Sequence, residues 1–288
     1  MSFSSHRSIC LFVFSLFAIV LQQEAIAVRA IPDDNLAYPV LITLKNGSQG
    51  SGFFLNAAQA SFLVTARHVI FKQNSDDLLD SDAEILSYAK DPKDKGKNEF
   101  TLDLKALKQN GEIKRHAEHD VAIIRIGIPD KSDRRILNTT NGVSIRQMAK
   151  SGILGVAENT IKRYSDVLTA NQVFIFGYPT SLGLKEIPQI DYLRPLLRSG
   201  IVAWTNDQTK TLILDCPAYG GNSGGPVLEV EQEDRGRRMW IIGVVSQFVP
   251  AVENWLNIPH GYTNTNVYNS GYAVAIPMDF VLELVAQF

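Results

Sequence analysis

The stretch Gly220-Gly221-Asn222-Ser223-Gly224-Gly225-Pro226 sets one serine among glycines. Glycine lets a backbone approach a ligand closely and adopt φ/ψ angles that a Cβ would forbid. A serine hydroxyl is a weak nucleophile until a base takes its proton. In such a turn the N–H groups of Gly221 and Ser223 can converge on one developing oxyanion. The same residues also describe an ordinary Gly-rich turn between two strands. The rest of the chain decides between these readings.

Upstream, Ser61-Phe62-Leu63-Val64-Thr65-Ala66-Arg67-His68 runs from an apolar, β-branched segment into small residues and a histidine. That pattern predicts a strand ending in a short turn. Histidine is the usual general base near neutral pH. Between the two stretches, His119-Asp120 stands at the mouth of the apolar run Val121–Ile126. A carboxylate there can accept the second imidazole N–H and fix the tautomer. Alone, His68 reads equally as a structural histidine and Asp120 as a turn residue. Together they give the chain order His, Asp, Ser, which separates the set from subtilisin-type and α/β-hydrolase orders.

The segments T-A-R-H-V, H-D-V-A-I-I-R-I and G-N-S-G-G-P-V resemble the three signatures of the chymotrypsin/trypsin-like serine peptidases. The nearest flavour is bacterial, similar to HtrA-like and related secreted peptidases. Asp215, the G-N-S-G-G-P variant and Tyr272-Ala273-Val274-Ala275-Ile276-Pro277 carry that likeness, which runs from about Ile42 onward. It implies acyl transfer to water, with His68 as base, Asp120 as its orienter, Ser223 as nucleophile and the N–H groups of Gly221 and Ser223 as the oxyanion hole. It implies no metal and no organic cofactor, and protein or peptide substrates. No peptide-binding PDZ domain of the kind HtrA proteases append is expected after the last strand.

The chain has 288 residues, 28 Lys and Arg against 30 Asp and Glu, and a net charge of −2. That balance argues against a general binder of nucleic acid or anionic membrane. Residues 1–27 read as a signal peptide: Arg7, an apolar run Ile9–Leu21 too short to span confidently, and an Ala25-Ile26-Ala27 cleavage site. Val28-Arg29-Ala30 is a competing cleavage site, and an uncleaved anchor is the alternative. Export to the periplasm or medium is expected, with no membrane association after cleavage. Cys10 leaves with that segment, so Cys216 is the one remaining thiol and no internal disulfide is expected.

The remaining pattern predicts an all-β fold. Short runs separated by turns, Asn46-Gly47 among them, argue for two antiparallel β-barrels. The expected boundaries are 28–135 for the first barrel, 136–165 for a mixed, partly helical connection, and 166–288 for the second barrel. Apolar residues at helical spacing in Met278–Phe288 predict a terminal helix. Residues 73–99 read as a charged insertion loop, Glu229–Arg238 as a solvent-facing hairpin turn, and 250–270 as a long loop near the cleft.

The resemblance also places the specificity pocket. Pro217, six residues before Ser223, and Ala218 fall at its base, and Ser246-Gln247-Phe248 on one wall. Ser246 aligns with a family serine near the aspartate. Phe248 stands where a glycine often keeps the pocket open, so small aliphatic residues are expected at the cleaved position. Asn222 replaces the aspartate that pairs with a new N-terminus in the trypsin subgroup, so activation of that kind is not expected. His116 and His119 lack the fuller ligand set of a zinc site. Cys216 reads as a packed strand residue. A silent binding protein on the same scaffold is the competing reading, and oligomeric state is not legible.

Overall fold

The computed structural model describes residues 30–133, 137–185, 187–233 and 236–288. The signal-peptide reading of residues 1–27 lies outside them. Asp33–Phe288 is one of two units into which the chain divides. Of the N-terminal unit, only the bend at residues 30–32 is described. Every described strand and helix lies in Asp33–Phe288.

The first half of that larger unit is a ten-stranded sheet: β1 (Val40–Leu44), β2 (Gln49–Ala57), β3 (Ala60–Thr65), β4 (Asp82–Tyr88), β5 (Lys97–Asp103), β6 (Ile113–Arg115), β7 (Ala122–Pro129), β8 (Leu137–Thr139), β9 (Val143–Gln147) and β10 (Gly155–Ala157). The order is β6-β7-β3-β2-β1-β4-β5-β9, with β8 added to β7 and β10 parallel to β2. The sheet does not close. Its end strands β6 and β9 each bury a single residue, Ile113 and Val143, and so offer little apolar face to pair across. This half is therefore a half-barrel rather than a closed barrel. Its core is filled by side chains such as Phe54, Leu63, Phe100 and Ile124.

The second half is a closed barrel of β11 (Gln172–Gly177), β12 (Leu196–Asn206), β13 (Thr211–Asp215), β14 (Pro226–Glu233), β15 (Gly236–Asn257) and β16 (Tyr262–Pro277), in the order β11-β12-β13-β16-β15-β14. Alternation sets the inside: Leu212 and Leu214 are buried while Thr211 and Ile213 are only partly so. Three short α-helices accompany these strands among the described residues: α1 (Arg67–Ile70), α2 (Leu104–Gln109) and α3 (Met278–Val285). The Asp103 side chain caps α2 by accepting from Ala106 N at 2.8 Å. In α3, Met278, Val281, Leu284 and Val285 are buried at helical spacing, and the helix packs on β7 as well as on β15 and β16. Thus α3 ties the second barrel to the first sheet. No described helix is long and apolar enough to cross a membrane.

Four sequence expectations change. Residues 73–99 hold β4 and the start of β5. In β4 the buried positions are Ala83, Ile85 and Ser87, a small, partly polar set that hides a strand's alternation. Residues 136–165 supply β8, β9 and β10 to the first sheet before two short 3-10 turns, because Leu137 and Val143 find apolar company in that core. Residues 250–270 are the paired outer ends of β15 and β16, a two-stranded ribbon turning at residues 258–261, rather than a loop.

The fourth change concerns charge. Glu229 is fully buried rather than solvent-facing. Lys162, from the segment before β11, reaches its carboxylate at 2.8 Å and also bonds Glu231. Asn171 Nδ2 donates to the other Glu229 oxygen, and Trp240 Nε1 donates to Glu231 at 2.8 Å. Burial opposes the Lys162 charge, but the hydrogen bonds to both carboxylates outweigh it and raise its pKa. Removing one partner of such a buried set leaves an uncompensated charge. Lys162→Met should therefore lower the unfolding free energy by about 3–5 kcal/mol in urea titrations. Lys162→Met/Glu229→Met should recover part of that loss.

Candidate active site

Strand β3 delivers Thr65 and Ala66 to the first turn of α1, which carries His68. Asp120 lies just before β7, the neighbour of β3 in the sheet, so pairing of Thr65 with Ala122 brings the two together. His68 Nδ1 and Asp120 Oδ2 are 2.7 Å apart, and His68 N donates to Asp120 Oδ1 at 3.0 Å. With Nδ1 facing the carboxylate, Nε2 is the ring atom left for the cleft. From the second barrel, Ser246 Oγ donates to Asp120 Oδ2 at 2.6 Å. Burial pushes the Asp120 carboxyl up, but the His68 ring, Ser246 Oγ and His68 N outweigh it and hold the pKa below its ordinary value. The loop before Asp120 is itself fixed. Arg67 Nη1 donates to the carbonyls of His116 and Ala117, and the His119 ring stacks on Phe280 of α3 at 3.5 Å. His116 Nδ1 accepts from His119 N, and its Nε2 faces Glu283 at 3.3 Å.

Ser223 sits in the turn between β13 and β14. Gly221 takes φ +98°, and a Cβ there would lie 2.2 Å from the Tyr178 carbonyl oxygen. Gly224 takes φ +90°, and a Cβ there would lie 2.0 Å from the Ser51 carbonyl oxygen. Both positions thus require glycine on two grounds. Every carbonyl from Tyr219 to Ser223 has a donor. Asn222 N reaches Tyr219 O at 2.9 Å, Ser181 N and Oγ reach Gly220 O, and Ser51 Oγ reaches Gly221 O at 2.6 Å. Gly225 N reaches Asn222 O at 3.0 Å, and Ser51 N reaches Ser223 O at 2.8 Å. By contrast, the N–H groups of Gly221 and Ser223 have no acceptor among the described residues. Asn222 is buried, and its Oδ1 accepts from Tyr219 N at 2.9 Å, a bond inside the turn itself.

The Ser223 hydroxyl donates to the Ser246 carbonyl at 2.9 Å. No hydrogen bond joins it to His68 among the described residues. His68, Asp120 and Ser223 nevertheless line one cleft of about 1190 Å³, together with Ala218, Tyr219, Gly220, Ser246, Gln247 and Phe248. Pro217 is half-buried and does not line that cleft; Cys216 before it points into the barrel core. The second barrel's contribution to the lining contains no carboxylate. Phe248 is 39 % exposed there. The described residues hold no cluster of three or more His, Cys, Asp or Glu able to bind a metal ion.

Ser51, Ser181 and Arg67 escape a reading of the sequence for site residues. Ser51 is within its reach, since Gly50-Ser51-Gly52 shares the glycine-flanked pattern of the Ser223 turn. Ser181 carries no such signal.

The chain matches the trypsin-like peptidase domain model over residues 50–235, and it belongs to that family. No curated protein matches it in sequence. Among solved structures, human heparin binding protein is 9% identical with a TM-score of 0.52, covering 90% of this chain and 94% of that one. A second structure, an atomic resolution structure of HBP, is 8% identical with a TM-score of 0.53 and the same coverage. Both likenesses are of fold. The HtrA-type protease AlgW with tripeptide is 16% identical with a TM-score of 0.46, covering 88% of this chain. This chain spans 63% and 60% of the length of two HtrA-type AlgW structures.

The local chemistry makes two measurable differences. Burial pushes the Cys216 thiol up to about 11, so a disulfide-exchange reagent at pH 7 should leave Cys216 of the native protein unlabelled and label it fully in denaturant. The depressed Asp120 pKa contributes stability that is present above the ordinary carboxylate value of about 3.9 and lost as pH falls below it. The gap in unfolding free energy between wild type and Asp120→Asn should be widest at neutral pH and should shrink below about pH 4.

Proposed function

We propose that this chain is an exported serine endopeptidase. Ser223 attacks a peptide carbonyl while His68 Nε2 takes its proton, and Asp120 holds the His68 ring and stabilises the imidazolium. The C–N bond breaks as His68 returns that proton to the leaving amine, and water then hydrolyses the acyl-enzyme by the same route. The N–H groups of Gly221 and Ser223 hold the oxyanion. The observation that carries this reading is one cleft containing a triply hydrogen-bonded Asp120, its histidine, and Ser223, in a turn whose Gly221 and Ser223 N–H groups have no acceptor among the described residues. Neither a metal nor a cofactor has a part in these steps. Export rests on the N-terminal segment, and the partners are protein or peptide substrates rather than nucleic acid.

The cleft's Ala218, Ser246, Gln247 and Phe248, with no carboxylate from the second barrel, support small aliphatic residues at the cleaved position. Asn222 bonding within its own turn supports a site that needs no liberated N-terminus.

The Ser223–Ser246 hydrogen bond favours a second reading, a latent or silent peptide-binding module. For proton transfer, the hydroxyl must leave that carbonyl for His68. A fluorophosphonate probe separates the two. Peptidase function predicts labelling of the wild type and none of Ser223→Ala, with His68→Ala slowed roughly a millionfold. A folded wild type that stays unlabelled would leave the binding module. On peptide libraries, Ala and Val should dominate the cleaved position. A profile led by Arg, Lys or Glu removes the pocket assignment. Trimming the N-terminus should leave activity unchanged.

A further inference from the structure

Five carbonyls of the Ser223 turn, Tyr219 to Ser223, are held, but not from equivalent places. Those of Gly221 and Ser223 are held by Ser51, which is fully buried. Those of Tyr219 and Asn222 are held within the turn. Only the Gly220 carbonyl is held by an exposed residue, Ser181, through its N–H at 3.3 Å and its hydroxyl at 3.1 Å. A trans peptide plane points its C=O and N–H in opposite directions. With Gly220 O turned to Ser181, Gly221 N–H points away from Ser181. The plane lies between two glycines, so no Cβ resists its turning over. If it turned, a carbonyl oxygen would take the place of the N–H and repel an oxyanion instead of binding it.

We infer that Ser181 is a positioning residue that keeps the Gly220–Gly221 peptide in its donor orientation; this rests on the peptidase reading above. The surrounding backbone suits that task. Thr180 N donates to Tyr178 O at 2.8 Å, and a Cβ on Gly221 would lie 2.2 Å from that oxygen and 2.7 Å from Thr180 N. The 178–181 turn therefore backs directly onto Gly221. Tyr178 N is itself tied to Ser51 Oγ at 2.9 Å. Ser181 stands at the end of a turn anchored to the first sheet, and it passes that anchorage on to a plane that Ser51 does not hold.

The test is phosphonylation kinetics of the full chain, comparing wild type, Ser181→Ala and Ser181→Thr. The Ser223 Oγ–P bond forms, the P–F bond breaks, fluoride leaves and the hydroxyl proton passes to His68. No substrate preference needs to be known. Loss of one oxyanion donor costs about 10²–10³ in rate, and Ser181→Ala keeps the main-chain N–H, so a drop of roughly tenfold at saturating probe is expected. Half-saturation should stay within about twofold, and Ser181→Thr should restore most of the rate. Thermal midpoints of the three should coincide. Wild-type kinetics in Ser181→Ala overturn the assignment alone. So does a loss that Ser181→Thr fails to restore, or one confined to half-saturation. An unlabelled wild type overturns the peptidase reading, and this inference with it.

Discussion

One buried serine ties together turns from both halves of the molecule. Ser51 lies on β2 of the first sheet, yet its N–H and hydroxyl hold carbonyls of the Ser223 turn in the second barrel. Its hydroxyl also accepts from Tyr178 N, and its own carbonyl accepts from Thr65 Oγ1 at 2.7 Å, one residue before the turn into α1. A single side chain and its peptide thus link the His68 strand, the Ser223 turn and the Tyr178 turn. Gly224 is the consequence: with Ser51 O so close, no side chain fits at that position. Buried polar atoms without partners are expensive. With N–H, hydroxyl and carbonyl all engaged, Ser51 fixes its partners' positions rather than merely tolerating burial.

Asp120 is the electrostatic counterpart of that seam. Its donors come from both halves, His68 from the first and Ser246 from the second. The same Ser246 receives the Ser223 hydroxyl on its carbonyl. Ser246 therefore contacts two members of the set at once, through different atoms. Arg67 and the α3 ring contacts steady the approach to Asp120 without touching its carboxylate. The geometry is held by several weak bonds from several elements, so no single one of them defines it.

Much of this is legible in the sequence because the relevant signals are local. Glycines around Ser223, a β-branched run before His68 and an apolar run after Asp120 are each readable over about ten residues, and α3 announces itself by its spacing. What escapes depends on distance or on the absence of burial. Glu229 reads as a surface charge because its partner Lys162 lies 67 residues away. The ribbon at 250–270 reads as a loop because residues such as Val252, Trp255 and Val267 remain exposed, leaving no buried face to impose a period. Ser181 acts through a neighbour's carbonyl, and a main-chain acceptor has no residue identity to read. Pro217 is placed by counting back from Ser223, and counting along a strand does not say which way a side chain faces.

The bond between Ser51 and Gly221 closes a loop of 170 residues. Loop-closure entropy makes such a contact late in folding, after the local hairpins have formed. A partly folded chain holds its serine and histidine before it holds their relative position. On the peptidase reading, cutting power appears only with completed tertiary structure, and the molecule is harmless for as long as it is unfinished. On that reading, the order of events is itself a safeguard during folding.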